Sequence, residues 1–261
     1  WKHLLPRYRY TDRKYGPQTV QGRLALQRAE EGTGSMEELL ALAREIPPSD
    51  FKGVCATAKK QGVTVNDYLI ASMFHTVKKW CKQRDEKPGK ICIDIPVNLR
   101  SPEDRTVGNI LCGYRMSLAS DKISHKGNTQ KLVKQKRSIM MEHAIARKIV
   151  DFAWALKPLP VKVKKFLYKR TSRTTYPTLT ISNVGIGKPN PSHQDKEGFH
   201  YMGPARIRTI VFVGHAPPWP NLIALTYNNC MTISLAVFRS QFSLKTAEEF
   251  LDCFIEEILT E

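Results

Sequence analysis

Two alternating runs organise the chain. Ile91, Ile93 and Ile95 alternate with Cys92 and Asp94, and Ile110, Cys112, Tyr114, Met116 and Leu118 alternate with smaller or polar residues. Period-two spacing turns one side of a strand into a core and leaves the other wet or lining a cavity. Pro96 ends the first run and Gly108 lets the chain turn into the second. The connecting loop is crowded with Asn98, Arg100, Arg105 and Asn109. Ahead of this pair, Thr64 and Asp67 form a capping-box pattern before a helix whose Val65, Leu69, Met73, Thr76 and Trp80 share one stripe. His75 lies off that stripe and reads as a surface histidine.

The same reasoning places the remaining elements. The Ala/Leu/Glu-rich stretch 36–46 predicts a helix stopped by Pro47-Pro48, and 51–60 a helical turn or two. After Leu118, residues 128–156 predict a long helix with Ile139, Met140, Ile145, Ile149 and Phe152 on its apolar face. Pro158 and Pro160 break it, and 161–168 predicts a short helix mixing lysines with apolar residues. Residues 179–183 read as a strand running into Val184-Gly185. Three more strands follow at 207–213, 222–226 and 231–238, the last two joined by an Asn228-Asn229 hairpin turn. A final helix is expected with Thr246 as its cap, Glu249 as capping-box acid, and Phe250, Leu251, Phe254, Ile255 and Ile258 facing inward. The order of elements is a mixed sheet with helices on at least one face, α/β or α+β rather than strict βαβ alternation. Residues 1–47 read as a linker and the end of a preceding lobe, and 48–261 as one lobe. Because the chain opens on Trp1-Lys2-His3 without a methionine, an upstream portion is expected.

Composition narrows this picture. Of the 261 residues, 41% are hydrophobic, enough for a core. No apolar run approaches the roughly 18 to 20 residues that cross a bilayer, and no signal-peptide pattern opens the chain. Cys55, Cys81, Cys92, Cys112, Cys230 and Cys253 lie singly within apolar segments, without metal-ligand spacing, and read as reduced core thiols of a cytoplasmic protein. The net charge of +17 is concentrated between residues 121 and 175, where Lys131, Lys134, Lys136, Arg137 and Lys162 to Arg170 face only Asp121, Glu142 and Asp151. Such a field attracts phosphates, acidic proteins or anionic lipid.

No catalytic motif stands out. Gly185-Ile186-Gly187 is followed by Lys188-Pro189, which cannot open the helix a phosphate cradle needs. There is no G-x-S-x-G elbow and no metal cluster. The histidines occur singly.

Four segments taken together resemble a known family: TVNDYLIASMFHTV (64–77), IPVNLR with VGN (95–100 and 107–109), TISNVG (180–185), and LTYNNCMTISLAVF before the capped last helix. They resemble the carboxy-terminal lobe of the chloramphenicol-acetyltransferase-like superfamily, in its alcohol acetyltransferase, wax-ester/diacylglycerol acyltransferase and condensation-domain branches. The resemblance implies a two-layer sandwich, a mixed sheet covered by helices, facing a second lobe across a tunnel. It implies acyl transfer from a thioester, on coenzyme A or a carrier protein, to an alcohol or amine. The base it implies is the second histidine of a His-His-x-x-x-Asp-Gly motif in the amino-terminal lobe. This chain contains no such motif, so it is expected to hold no catalytic residue of its own and to need that lobe as partner. No tightly bound cofactor is expected; the acyl-CoA or acyl-carrier thioester is a co-substrate. By resemblance, Arg100 braces the catalytic loop by pairing with the motif aspartate, with Asn98 and Asn109 fixing the loop. Ser182 and Asn183 correspond to the tunnel-lining strand end, where a hydroxyl can steady an oxyanion. Lys162, Lys164, Lys165, Lys169 and Arg170 are candidates for the donor's phosphates or an acidic carrier. The same segment fits a peripheral contact with anionic membrane. Nucleic acid is disfavoured, since no binding motif or aromatic platform accompanies the charge. The rival to an enzyme lobe is a non-catalytic binding module that engages an acidic protein or anionic membrane through this basic surface.

Overall fold

The structure, a computed structural model, describes residues 38–86, 88–98, 111–124, 126–144, 157–166, 177–187, 194–214, 219–239 and 242–260. Six strands form one mixed sheet: β1 (Leu39–Ile46), β2 (Lys90–Asn98), β3 (Leu111–Ala119), β4 (Leu179–Ile186), β7 (Asn221–Tyr227) and β8 (Cys230–Phe238), in the order β1-β8-β7-β4-β2-β3. Strands β2, β4 and β7 run parallel; the β1/β8, β7/β8 and β2/β3 pairs are antiparallel. A two-stranded hairpin, β5 (Tyr201–Met202) with β6 (Ala205–Arg206), stands apart. The helices are α1 (Pro48–Lys60), α2 (Val65–Lys82), α3 (Lys126–Ala144) and α4 (Leu244–Leu259).

One parity of every strand faces the helices. Ile91, Ile93 and Ile95 of β2, Tyr114, Met116 and Leu118 of β3, and Met231, Ile233, Leu235 and Val237 of β8 join Leu69, Met73, Phe74, Trp80, Phe250 and Phe254 in a single buried cluster. The predicted α2 stripe is therefore core, and α2 is buried well beyond it, since Tyr68, Ile70, Ala71 and Ser72 are buried too. Trp80 meets Phe250 edge-on at 5.2 Å, locking α2 to α4. Thr64 and Asp67 form the full capping box. Asn228 and Asn229 take left-handed φ values of 46° and 60° in the β7–β8 turn, as the hairpin requires. The expected two-layer α/β arrangement is thus the one observed.

Several local expectations are corrected. Residues 39–46 are a strand, paired along their whole length with β8 and burying Ile46. Tertiary pairing overrides the helix-forming composition there, and the lobe's sheet begins well before residue 48. Pro47 and Pro48 do not stop a helix; they are the N-cap and first residue of α1, where a missing N–H costs nothing. The cap of α4 is Ser243, whose Oγ accepts from Thr246 N at 3.1 Å, and Thr246 sits within the first turn. His75 is half-buried rather than on the surface, with its Nε2 2.9 Å from Thr129 Oγ1 across the α2–α3 contact. The predicted strand at 207–213 joins no ladder. The long helix expected to reach residue 156 is described to Ala144 as α3, and residues 145–156 lie outside the described residues.

Candidate functional site

The carboxyl ends of the parallel strands β2, β4 and β7 share one end of the sheet, the end at which open α/β sheets bind ligands. There β2 and β4 part company. Their ladder consists of Ile93↔Leu179 and Asp94↔Thr180. Beyond it β2 continues to Asn98 with β3 alone, and β4 continues to Ile186 with β7 alone. The backbone edges of 95–98 and 181–186 therefore carry no shared ladder among the described residues. The result is a fork whose one prong ends at Asn98 and whose other prong carries the TISNVG segment.

The last rung of the fork bears polar side chains on the face away from the helices. Arg115 grips Asp94 bidentately, Nε to Oδ1 at 2.5 Å and Nη2 to Oδ2 at 2.9 Å, with both side chains about three-quarters shielded. Thr180, opposite Asp94 in the ladder, accepts from the indole Nε1 of Trp219 at 2.8 Å. Below them Cys92 is held by Thr178, whose Oγ1 accepts from Cys92 N at 3.0 Å, and by Ser117, whose hydroxyl donates to Sγ at 3.1 Å. Burial pushes the Cys92 thiol up to about 11, which keeps it protonated and unreactive. This Asp94–Arg115 and Thr180–Trp219 arrangement was not singled out from the sequence. The signal was present in the register: in a strand pair, a carboxylate and a guanidinium at facing positions are a cross-strand pair.

The residues expected at the site are divided by the fold. Ser182 lies on the open face, in register with Ile223. Asn183 alternates to the other side, and its Oδ1 accepts from Gly185 N at 2.9 Å. That bond holds a bulge between Asn183 and Gly185, with Gly185 at φ 84° and Val184 50% exposed. Bulges re-aim side chains beside binding sites, and this one bends β4 at the fork. Asn98 is the last residue of β2, facing Leu111 in the ladder. Arg100 and Asn109 lie outside the described residues, as do Lys169 and Arg170. Lys162 and Lys165 are exposed on a short helix over 161–166, whereas Lys164 turns back to donate to Lys157 O at 3.2 Å.

Part of the positive charge on α3 is internally satisfied. Arg137 binds the fully buried Asp67 through Nε at 2.6 Å and Nη2 at 3.0 Å. Lys134 donates to Gly62 O at 2.6 Å, and Lys136 to Ser117 O at 3.3 Å. The free basic surface is correspondingly smaller than the composition suggests. A groove between the ends of α2 and α4 is bridged by Lys79–Glu256 and Arg84–Glu249 ion pairs, which makes it part of the helix packing. Among the described residues no cluster of His, Cys, Asp and Glu is arranged to hold a metal ion, and no helix is long and apolar enough to cross a membrane.

The overall fold recurs in solved structures. The trichothecene 15-O-acetyltransferase from Fusarium sporotrichioides superposes with a TM-score of 0.65 at 10% identity, over 99% of this chain and 54% of that one. The wax ester synthase/diacylglycerol acyltransferase from Marinobacter aquaeolei VT8 gives 0.54 at 17% identity, over 90% and 54%. The epimerization domain from the third module of tyrocidine synthetase B gives 0.59 at 14% identity, over 93% and 54%. The chain has the chloramphenicol-acetyltransferase-like fold. The chain spans about half the length of the structures it matches. No protein-family model and no curated protein matches its sequence. At such low identities the likeness fixes the fold, and the chemistry must be argued from the fork.

Proposed function

We propose that this chain is the carboxy-terminal lobe of a two-lobed acyltransferase that moves an acyl group from a coenzyme A or carrier-protein thioester to an alcohol or amine. The observation that carries the reading is the β2/β4 fork: Ser182 stands beside an interruption in the sheet at the carboxyl end of its parallel strands, in a chain whose fold matches acyltransferase structures. In the reading, a histidine of the other lobe takes the proton of the acceptor hydroxyl or amine as it attacks the thioester carbonyl. The negative charge gathers on the carbonyl oxygen, and collapse of the tetrahedral intermediate expels the thiolate. The hydroxyl of Ser182 donates to that oxygen, and Arg100 braces the histidine loop from the near side. Lys162, Lys164 and Lys165 contribute attraction for the phosphates of the donor.

The test uses the longer protein containing both lobes. Release of free thiol from an acyl-CoA, dependent on an added alcohol or amine, is the expected activity. Ser182→Ala should lower kcat by about 10- to 100-fold with little change in KM, as loss of one oxyanion donor does. Arg100→Ala should abolish turnover, and Lys162→Glu with Lys165→Glu should raise KM for the donor. Acceptor-independent thiol release, or wild-type turnover in both Ser182→Ala and Arg100→Ala, would overturn the reading.

A further inference from the structure

No Asp or Glu lies between Asp151 and Asp195, and within that gap the described residues 157–166 read KPLPVKVKKF. A field of one sign over such a length attracts an anionic partner. Apolar side chains separate this stretch from an ordinary solvated charged loop. Val161, Val163 and Phe166 are 64%, 39% and 61% exposed. Lys162 and Lys165 are exposed between them.

The local structure holds these side chains outward. Pro158 and Pro160 fix φ just ahead of the short helix over 161–166. Lys164 N donates to Pro160 O at 3.1 Å and Lys164 Nζ donates to Lys157 O at 3.2 Å, so backbone and side chain close the turn on itself. At about 100° per residue, Val163 and Phe166 stand on one side of the helix and Val161 on the opposite one, with lysines between. A groove in a protein takes a single stripe of apolar anchors, which this turn does not offer. A layer of lipid headgroups closes round an inserted turn from every side. The ring and methyl groups then sink toward the acyl chains, and the lysine stems keep their ammonium groups among the phosphates. Because the turn is already ordered, little conformational entropy is lost on insertion.

We infer that 157–166 is a membrane-docking turn: Val161 and Phe166 enter the interface of a bilayer carrying anionic phospholipid, and Lys162 and Lys165 hold to its headgroups. Two lysines and a few apolar side chains give reversible attachment, far weaker than a spanning helix. Among the described residues no helix is long and apolar enough to span. An anionic surface also accommodates the rest of the chain, whose net charge is +17.

Co-sedimentation of the complete protein with phosphatidylcholine vesicles, made with and without phosphatidylserine, is the test. Partition onto the phosphatidylserine vesicles should be at least about thirtyfold stronger, as two lysines near the surface supply, and should fall as salt is raised. Phe166→Ser should weaken it by about tenfold or more, while Phe166→Leu should keep most of it. The Phe166 side chain stands largely in solvent, so both variants should melt with the wild type. Equal partition onto the two kinds of vesicle would overturn the inference. So would phosphatidylserine-dependent binding that Phe166→Ser leaves intact, since a basic surface elsewhere would then be responsible. A wild type that ignores both vesicles but binds immobilised polyglutamate, and loses that binding in Phe166→Ser, would overturn it in favour of an acidic protein. The readout is binding rather than turnover, so the acyl-transfer reading stands or falls separately.

Discussion

The two faces of the sheet are held by different physics. The helical face is a continuous apolar core from Ile46 to Ile258, within which Asp67 is paired by Arg137 and the capping box and the Tyr68 hydroxyl donates to Ile258 O at 2.8 Å. The open face is built from local polar pairs, Asp94 with Arg115 and Thr180 with Trp219, and from the stretch 207–214, which joins no ladder among the described residues. Burial makes the first face a source of stability. The second depends on pairs that water partly reaches, which are worth less.

The comparison breaks most visibly if the helical face is opened. Trp80 is 2% exposed and packs edge-on against Phe250, so Trp80→Ala removes the largest fully buried side chain and separates α2 from α4. A loss of about 3–5 kcal/mol is expected in urea unfolding, the range for such truncations. A loss below about 1 kcal/mol would mean that this face is less tightly packed than its burial indicates.

Next comes the buried ion pair. Arg137→Met keeps an apolar stem of similar reach to the arginine's methylenes but leaves the Asp67 carboxylate, itself fully buried, without its guanidinium. Removing one partner of a buried pair costs about 3 kcal/mol or more. A double-mutant cycle with Asp67→Asn should recover part of that loss, because no orphaned charge remains. Additive losses in the cycle would show that the two side chains stabilise the lobe independently.

On the open face the same kind of substitution should cost far less. Asp94 and Arg115 are 26% and 31% exposed at their side chains, and Arg115→Ala should lower stability by roughly 0.5–1 kcal/mol, as partly exposed pairs do. In that variant Cys92 beneath the pair should stay inert to a maleimide at pH 8, since burial raises its pKa and the Arg115 charge, which pulls it down, is then gone. Rapid labelling of Cys92 in the variant would mean that the pair seals this part of the face.

What the sequence disclosed follows the same division. Elements whose pattern is set by burial on one side were legible: the alternation of β2 and β3, the stripe of α2, the Asn228-Asn229 turn and the face of α4. Elements decided by a distant partner were not. Residues 39–46 have helical composition and become a strand because β8 offers an edge, and 207–213 have strand alternation but pair with no strand among the described residues. The site was legible only as segments. That Ser182 and Asn183 occupy one strand was readable, but their division between faces and the bulge after Asn183 depend on register. The fork between β2 and β4 is a property of the sheet and of no single residue.

The smallest expected effect lies at the carboxyl end of α4, at the margin of the helical face. Lys126 caps that end by donating to Glu257 O and Thr260 O, each at 2.5 Å, with its ammonium 4.8 Å from the Tyr68 ring. A cation there complements the helix dipole. The Glu257 carboxylate is the discordant member. Burial raises its pKa above the usual carboxylate value, with Lys126 pulling the other way. A raised folded-state pKa means that the folded lobe holds the proton longer than the unfolded chain. The stabilisation is then complete below the unfolded value of 4.5 and is lost as pH rises through the folded one. Glu257→Gln should therefore flatten the decline in thermal stability just above pH 4.5, by roughly a few tenths of a kcal/mol because the site is partly solvated. Lys126→Met should cost more, since it uncaps two carbonyls. A steeper decline in Glu257→Gln would show that the Lys126 charge, not burial, governs this carboxylate, and that the margin of the helical face behaves like the open one.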